Sequence, residues 1–309
     1  MRPRISVVMP VYNCENYIAN AIDSILNQSF QNFELIIIDG GSDDNTLRII
    51  HGYKDKRIRI IEQGKKTPLI ESLNQGIYEA KGNIIARQDA DDLSHSQRLA
   101  KQYAMFCFYR DLAVLGTFYC TIDKDGRVLK KKFLKRHVTF ADLKEGNQLC
   151  HGSIMFRKDI VLKEGLYDPL FQTCEDYELY CRLSLKGYKI ANLNEFLYYL
   201  RLHESSVSTV KWQEQILYAC LVKDIYFGNL KKETVKKLPI KDHKHLYSIL
   251  SFEGKKDYHL SLALKYIKSK KYGKGLNEFL KIAKLNPKEA NRLIIKTIQN
   301  PRKIFNKTD

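Results

Sequence analysis

The chain has 309 residues, of which 44% are hydrophobic, and a formal net charge of +17. This length suits one large domain with an appendage, or two domains, and the apolar content excludes a disordered chain. No run of about 18 apolar residues is present, which argues against a membrane span, and the N-terminus lacks the apolar stretch of a signal peptide. We therefore expect a cytoplasmic protein whose seven scattered cysteines are reduced thiols.

The positive charge is concentrated in the last third of the chain. Residues 212–309 hold 22 basic and 9 acidic residues, a net charge of +13, whereas residues 1–211 have a net charge of +4. A basic segment attached to a near-neutral domain favours an anionic partner, such as a membrane surface or a nucleic acid. A solvated, lysine-rich helical face is the alternative interpretation.

The first part of the chain alternates between short apolar runs and amphipathic segments. Buried strands are predicted at 5–12, 33–39, 57–62 and 83–88, and helices at 15–28, 43–51 and 68–80. Fully apolar strands that alternate with helices are typical of a parallel sheet with right-handed crossovers. The fold class is therefore α/β.

The rest of the chain is more mixed. We predict helices at 96–109 and 175–186 and strands at 113–123, 126–133, 152–157 and 196–203, with a hairpin turn at 123–126. From about residue 211 the pattern changes to lysine-rich amphipathic helices. Residues 256–289 weakly resemble one tetratricopeptide-type hairpin, through Ala263, Tyr266, Gly275, Phe279 and Pro287. One such repeat cannot bury its own face, so we expect a docked helical pair or part of a membrane-facing tail.

Three polar clusters follow predicted strands. They are Pro10–Asn13, Asp39–Ser42 and Asp89–Asp92. Ligands of open parallel sheets bind at the carboxyl ends of the strands, so these clusters should meet at one edge. An acidic residue such as Asp39 can accept hydrogen bonds from a nucleobase imide or a ribose hydroxyl, and glycines allow close approach of the backbone. Taken alone, the Asp39 segment also fits an ordinary turn and helix cap.

The acidic cluster comprises Asp89, Asp91 and Asp92. Closely spaced carboxylates repel each other unless a cation neutralises them. A hard divalent cation, Mn²⁺ or Mg²⁺, prefers oxygen ligands and retains waters and substrate phosphates in its shell. The cluster therefore predicts a cation that bridges a diphosphate. The alternative is a polar surface turn in which Asp92 caps a helix.

These segments together resemble family two glycosyltransferases of the GT-A fold, especially bacterial enzymes that build surface polysaccharides. The resemblance covers about residues 4–210. Its motifs are Ser6-Val-Val-Met-Pro-Val-Tyr-Asn13, Ile36-Ile-Ile-Asp-Gly-Gly-Ser-Asp-Asp-Asn-Thr46, Asp89-Ala-Asp-Asp92, and Arg98 with Gln102. One departure is Gly40, where the family often has a second Asp, so a carboxylate contact to the nucleoside is missing here.

The resemblance implies roles for individual residues. It implies that Pro10, Tyr12, Asn13, Asp39, Gly41, Asp89 and Ala90 bind the nucleotide, that Asp91 and His203 hold the metal, and that Arg98, His151, Gly152 and Glu175 line the sugar or acceptor pocket. Asp176, within Cys174-Glu-Asp-Tyr-Glu178, would be the catalytic base. Carboxylates at a helix start also favour the helix dipole, which is the alternative for Glu175 and Asp176. His203 could instead contact the diphosphate, and a structural role is a further alternative for it.

The implied reaction is a single displacement that inverts the anomeric centre. The donor would be a nucleotide-sugar, UDP-linked by preference, and the acceptor a saccharide or lipid-linked saccharide. A glycosyltransferase domain would span 1–210, with a nucleotide-sugar half at about 1–110 and an acceptor half at about 111–210. The basic helical region 211–309 would hold the enzyme at the anionic inner leaflet as a peripheral membrane protein.

Two other classes remain open at this point. A nucleotidyltransferase also combines a parallel sheet with clustered aspartates, but it typically carries a Gly-rich basic loop after the first strand, which 12–16 does not supply. A nucleotide-binding module without catalysis would bind the donor and not turn it over. We expect no nucleic-acid partner, because the lysines of the C-terminal region lack interleaved arginines and a recognised module.

Overall fold

The structure is a computed structural model that describes residues 2–204, 206–228, 230–236 and 242–285. The chain forms two compact units. Among the described residues, the first unit lies within 2–143, 147–169 and 178–206, and the second within 144–146, 170–177 and 207–285.

The first unit is built on one sheet, to which the described residues contribute ten strands. They are β1 (Ile5–Val11), β2 (Phe33–Asp39), β3 (Ile58–Glu62), β4 (Ile84–Arg87), β5 (Leu93–Ser94), β6 (Leu112–Ile122), β7 (Val128–Lys132), β8 (His137–Val138), β9 (Met155–Arg157) and β10 (Lys189–Arg201). The path through the sheet is β3-β2-β1-β4-β9-β6-β10-β5, while β7 pairs with β6 and β8 with β10. The pairs among β1 to β4 and the pair β6–β10 are parallel, which confirms the mostly parallel α/β fold.

Helices connect these strands. They are α1 (Ile18–Leu26), α2 (Thr46–Gly52), α3 (Leu69–Glu79), α4 (Arg98–Phe108), α5 (Phe140–Glu145), α6 (Lys158–Lys163) and α7 (Glu175–Leu185), with a 3₁₀ turn at His151–Ser153. The inward face of α1, formed by Ile18, Ala21, Ile22 and Ile25, is completely buried because its apolar residues recur at helical spacing.

The strand β9 shows where the expected topology was incomplete. It runs antiparallel between β4 and β6, and it begins at Met155 rather than at 152, because Gly152 belongs to the 3₁₀ turn. The predicted strand 196–203 is longer at its start and ends at Arg201. His203 therefore lies in the loop beyond the strand.

The C-terminal helices of the second unit are α8 (Val207–Val210), α9 (Trp212–Phe227), α10 (Lys232–Lys236), α11 (His243–Ile249), α12 (Phe252–Lys268) and α13 (Tyr272–Leu285). The helices α12 and α13 pack together around Ala263, Phe279 and Ile282. Gly275 faces the Ile267 side chain closely enough that a β-carbon there would clash. Pro287, the last residue of the predicted hairpin, lies outside the described residues.

In-register pairing aligns the carboxyl ends of the central strands. Val11 at the end of β1 pairs with Asp39 at the end of β2, and Asp39 pairs with Glu62 at the end of β3. The loops after β1 and β2 and the acidic loop after β4 therefore emerge at the same edge, as the sequence predicts.

Candidate active site

The loop after β1 is held by hydrogen bonds to the loop after β2. Pro10 is a buried residue of β1 that pairs with Ile38 of β2. On the other side of β1, strand β4 pairs only as far as Val8 and so ends before Pro10. Asn13 adopts a left-handed backbone conformation with φ of 49°. Its side chain donates to Asp43 Oδ1 at 2.6 Å and accepts from the Asp43 amide at 2.9 Å. These bonds fix Asn13 and leave the neighbouring Tyr12 ring partly exposed, with the Lys66 ammonium 5.0 Å from its centroid.

Asp39 is the central side chain of the second loop. It is 1% exposed, and its Oδ2 accepts hydrogen bonds from the amides of Gly41 and Ser42, both at 3.0 Å. Its Oδ1 is buried and has no hydrogen-bond partner among the described residues. A buried carboxylate oxygen without a donor costs free energy in the absence of a ligand. Asp39 Oδ1 is therefore an acceptor that no described residue satisfies.

Gly41 is required by the path of the backbone. Its φ is +84°, and a β-carbon would meet the backbone of Lys65 and Lys66. At Gly40, by contrast, a side chain would make ordinary contacts with Val11 and Thr67. The fold therefore does not require a glycine at position 40. Its presence there only removes a possible side-chain contact.

Asp89 is the first carboxylate of the acidic loop. Arg87 Nη2 donates to its Oδ1 at 2.7 Å, and its own amide donates to the Tyr198 hydroxyl at 3.2 Å. Burial raises the pKa of Asp89, with a further rise from Asp91, although the Arg87 guanidinium opposes it. The next residue, Ala90, is buried, so the backbone of this loop is fixed on both sides of Asp89.

The two following aspartates are placed differently. Asp92 is buried, and its Oδ1 accepts the Arg201 amide at 2.6 Å. Burial and the charges of Asp91 and Asp89 raise the pKa of Asp92 well above its usual value. Asp91 is partly exposed, and its Oδ2 lies 2.9 Å from His203 Nε2. Asp92 therefore ties the loop to β10, while Asp91 pairs with His203.

His203 is brought to Asp91 by the loop that follows β10. Its side chain is 12% exposed, and its ring lies against the Tyr17 ring, with centroids 4.9 Å apart. The pair supplies one carboxylate oxygen and one imidazole nitrogen, both common ligands of Mn²⁺. The described residues contain no group of three or more His, Cys or acidic side chains arranged to hold a metal alone. An ion at Asp91 and His203 would thus take its other ligands from water and a substrate diphosphate.

The carboxylates also act on Cys14, which sequence reasoning did not connect with this loop. Burial raises the pKa of the Cys14 thiol, with further contributions from Asp91, Asp44, Asp92 and Asp89. The acidic groups that oppose ionisation of the Cys14 thiol create a negative potential in this region, and a negative potential favours the binding of a cation.

Gly152 and His151 form the wall beside Asp89. A β-carbon on Gly152 would overlap the Tyr198 hydroxyl and approach Asp89 Oδ2 to 2.7 Å. His151 Nε2 lies 2.9 Å from the Tyr167 hydroxyl, and burial, with the nearby charge of Arg87, lowers the pKa of His151 well below its usual value. The imidazole is therefore neutral at pH 7.

We predict that Gly152→Ala destabilises the protein by about 1–3 kcal/mol, because the added methyl group must displace Tyr198 or Asp89 in a packed region. Urea unfolding measures the loss. Gly52→Ala is the matched control, since Gly52 ends α2 with open space around its Cα. Equal unfolding midpoints for the two variants would contradict the prediction.

Arg98 is fully buried beneath this wall. Its Nη1 donates to the Gly152 carbonyl at 2.8 Å and its Nη2 to the Arg87 carbonyl at 3.0 Å. Burial lowers the pKa of Arg98 to about 10, which leaves it charged at pH 7. Arg98 thus holds the backbone of Gly152 and Arg87 in position.

Asp176 and Glu175 lie in the first turn of α7, within the second unit. Glu175 is buried and Asp176 is partly exposed. Sequence reasoning assigned no role to Arg87, Tyr198 or Arg201, which support the acidic loop directly. A buried arginine at the end of an apolar strand, as Arg87 is, was the available signal, because such a charge requires a partner.

The chain matches the family model described as Glycosyl transferase family 2 over residues 6–165. The putative glycosyltransferase EpsE of Bacillus subtilis is 38% identical over 204 residues, which cover 64% of this chain and 73% of EpsE. The UDP-Glc:alpha-D-GlcNAc-diphosphoundecaprenol beta-1,3-glucosyltransferase WfaP of Escherichia coli is 29% identical over 222 residues, 72% of this chain and 86% of WfaP.

The structure is also similar to S. aureus TarS in complex with UDP-GlcNAc. The TM-score is 0.63 with 17% sequence identity, over 91% of each chain. At this identity the likeness concerns the fold. The α/β sheet carries an acidic loop at its carboxyl edge, and the family match over residues 6–165 gives the class of protein. The chain belongs to glycosyltransferase family 2 and has its GT-A fold.

Proposed function

We propose that this glycosyltransferase transfers a sugar from a UDP-sugar to a saccharide or lipid-linked saccharide, with inversion at the anomeric carbon and with Mn²⁺ or Mg²⁺. The observation that carries the proposal is the unpartnered Asp39 Oδ1, on the same edge of the sheet as the Asp91–His203 pair. One group is suited to a nucleobase and the other to a metal-bound diphosphate.

The chemistry of Asp39 favours uracil over cytosine. Its free oxygen is an acceptor only, and the uracil imide N3–H is a donor, whereas the cytosine N3 is an acceptor. The N1–H of guanine would satisfy the same acceptor, so the donor panel below includes GDP-sugars. Pro10, Tyr12, Asn13 and Gly41 would complete the nucleoside site, and Asp89 and Ala90 would face the ribose and phosphate. A hydrogen bond to a charged acceptor contributes about 1.5–3 kcal/mol.

We predict that Asp39→Asn lowers UDP affinity by about 10- to 100-fold, because the amide can keep one acceptor for Gly41 and Ser42 but presents N–H groups to the imide. Calorimetric titration with UDP and CDP measures the change. The ratio of UDP to CDP affinity should fall. An unchanged ratio would show that Asp39 does not contact the base.

Asp91 and His203 would hold the cation, which stabilises the charge that develops on the departing diphosphate. Contacts within the protein hold Asp91 and His203 at this position. Arg201 Nε donates to the Asp91 carbonyl at 2.8 Å, and the Tyr17 ring packs on His203. The backbone of Asp91 and the ring of His203 are therefore held in place, and the Asp91 carboxylate lies 2.9 Å from His203 Nε2.

Asp176 is our candidate for the base. An acceptor hydroxyl is a poor nucleophile, and a positioned carboxylate removes its proton as the oxygen attacks the anomeric carbon. One displacement of this kind converts an α-linked donor into a β-linked product. The activity for which WfaP is named, that of a beta-1,3-glucosyltransferase that uses UDP-Glc, is consistent with this stereochemistry. We propose that His151, Gly152 and Glu175 line the sugar or acceptor pocket and that Arg98 positions it.

The acceptor and the location are inferred from charge and from relatives. The acceptor named for WfaP is a diphosphoundecaprenol-linked sugar, and we propose a similar role in bacterial surface polysaccharide synthesis. No described helix is long and apolar enough to cross a membrane. We propose a cytoplasmic enzyme whose domain 1–210 carries the chemistry and whose basic region 211–309 contacts the anionic inner leaflet.

A donor panel tests the proposed function. Purified full-length protein is incubated with UDP-, GDP- and CDP-sugars and Mn²⁺, and released nucleotide is measured with and without EDTA. Turnover of a UDP-sugar that EDTA abolishes supports the proposal. Metal-dependent UDP binding without turnover on any donor or acceptor would identify a binding module, and pyrophosphate release from UTP with a sugar phosphate would identify a nucleotidyltransferase.

A further inference from the structure

The hairpin between β6 and β7 exposes an unusual combination of side chains. We define residues 127–136 as the basic hairpin. This segment has six basic residues and no acidic one: Arg127, Lys130, Lys131, Lys132, Lys135 and Arg136. Between them, Val128 and Leu129 are more than half exposed, and Phe133 is 71% exposed. Large apolar side chains that are grouped on a surface mark an interaction site.

The backbone here is that of an edge strand. Among the described strands, β7 pairs only with β6, from Tyr119 opposite Lys132 to Ile122 opposite Val128. A bulge opposite Thr121 and Ile122 adds Leu129 to the strand, and such a bulge redirects side chains and increases the local twist. The edge is thus bent and lysine-rich, which disfavours pairing with another strand.

The exposed phenylalanine is held in place. The Phe133 ring packs edge-on against Phe118 and Phe196, with centroids 5.7 and 5.1 Å apart, and the Lys131 ammonium lies 5.2 Å from the Phe196 centroid. Because these contacts fix the ring while most of it remains exposed, little side-chain entropy remains to be lost when Phe133 enters an apolar environment.

The hairpin is joined to the acidic loop by one arginine. Arg201 Nη1 donates to the carbonyls of Asp123 and Lys124 in the hairpin turn, at 3.1 and 2.8 Å. The Nε of the same guanidinium donates to the Asp91 carbonyl at 2.8 Å. The turn end of the hairpin is therefore joined to the backbone of the loop that carries Asp91.

We propose that the basic hairpin docks on an anionic lipid bilayer, with Leu129 and Phe133 inserted among the headgroups and the lysines against lipid phosphates. Aromatic and leucine side chains with interleaved lysines are the residues that bind at such an interface. A second copy of the chain is disfavoured as the occupant, because two hairpins of this charge would repel each other. This contact lies on the sheet unit and is separate from the one proposed for region 211–309.

Vesicle partition tests the proposal on full-length protein. Vesicles of phosphatidylcholine with 30% phosphatidylglycerol, roughly the anionic content that gives a strong surface potential, are sedimented with each variant. We expect Leu129→Ser/Phe133→Ser and Lys130→Glu/Lys131→Glu each to lower the partition coefficient about tenfold or more. Tyr78→Ser/Phe108→Ser removes equally exposed rings elsewhere and should leave it unchanged. The Lys268→Glu/Lys271→Glu variant measures how much the C-terminal region contributes to the partition coefficient.

A fluorescent reporter gives an independent readout. Trp212 is the single tryptophan of the chain, so Phe133→Trp in a Trp212→Phe background reports on position 133 alone. Its emission should shift to the blue with anionic vesicles and stay constant with pure phosphatidylcholine. Equal partition of the hairpin variants and the unmodified chain, or no blue shift, would overturn the proposal, as would a self-association that Leu129→Ser/Phe133→Ser abolishes. The hairpin variants should release UDP without vesicles at the rate of the unmodified chain. Failure of the proposed membrane contact is therefore distinguishable from failure of the proposed reaction.

Discussion

Asp91→Asn is expected to lower the turnover number by about 10²- to 10³-fold, while the protein remains folded. Asp91 is a partly exposed carboxylate of the acidic loop, and its Oδ2 faces His203 Nε2 at 2.9 Å. The amide of the variant has no charge to offer the cation, and stabilisation of a leaving diphosphate by a metal contributes several kcal/mol to the transition state. Initial rates of UDP release as a function of Mn²⁺ concentration measure both the loss and the weaker metal binding.

A double variant tests whether the two side chains hold the same ion. His203→Ala alone should lower the rate by about 10- to 100-fold. Because both substitutions remove the same cation, Asp91→Asn/His203→Ala should cost little more than Asp91→Asn. Asp125→Asn is the control, since Asp125 is an exposed aspartate of the hairpin turn. Fully additive losses, or an Asp91→Asn enzyme with normal dependence on Mn²⁺, would show that the pair is not the metal site.

The parallel part of the sheet was predictable from sequence because its strands are buried on both faces. Every residue of β1 and of β2 is buried, and such strands appear as unbroken apolar runs. The polar residues that follow these runs lie at the carboxyl ends of the strands, which is the edge where ligands bind in such sheets. Asp39 and Asp91 could thus be placed at the same edge without a structure.

The short strands are too brief to show a hydrophobic pattern in the sequence. The strand β9 has three residues, and β5 and β8 have two each, so periodicity does not reveal them or their direction. Contacts across long separations were equally hidden. His203 lies 112 positions from Asp91, and only the family resemblance suggested that they meet.

Arg98 shows how burial modifies a motif. The resemblance implied a place in the sugar or acceptor pocket, whereas the structure shows a guanidinium that is fully buried and donates to the carbonyls of Gly152 and Arg87. Gln102, one turn later in α4, similarly donates to the carbonyls of Leu115 and Ser153. A sequence motif identifies which residues matter, but the burial and the partners of a side chain decide whether it contacts a ligand or supports the residues that do.

Asp176→Asn is expected to lower transfer to the acceptor by about 10²- to 10⁴-fold and to leave UDP affinity unchanged. The amide retains the shape of the side chain but cannot accept the proton of the acceptor hydroxyl, and general-base catalysis contributes a factor of this size. Transfer rates at saturating donor and acceptor, with UDP titrated by calorimetry, separate the chemical step from binding.

The competing explanation for Asp176 is helix stabilisation, because a carboxylate in the first turn of α7 favours the helix dipole by about 0.3–1 kcal/mol. Asp159→Asn is the matched control, since Asp159 is an exposed acidic residue in the first turn of α6. The dipole explanation predicts similar small losses of stability and similar activity for the two variants. A base at position 176 predicts similar stability but a loss of transfer in Asp176→Asn alone. Because only the kinetic readout differs between the two explanations, transfer by Asp176→Asn at the rate of the Asp159→Asn enzyme would remove Asp176 from the mechanism.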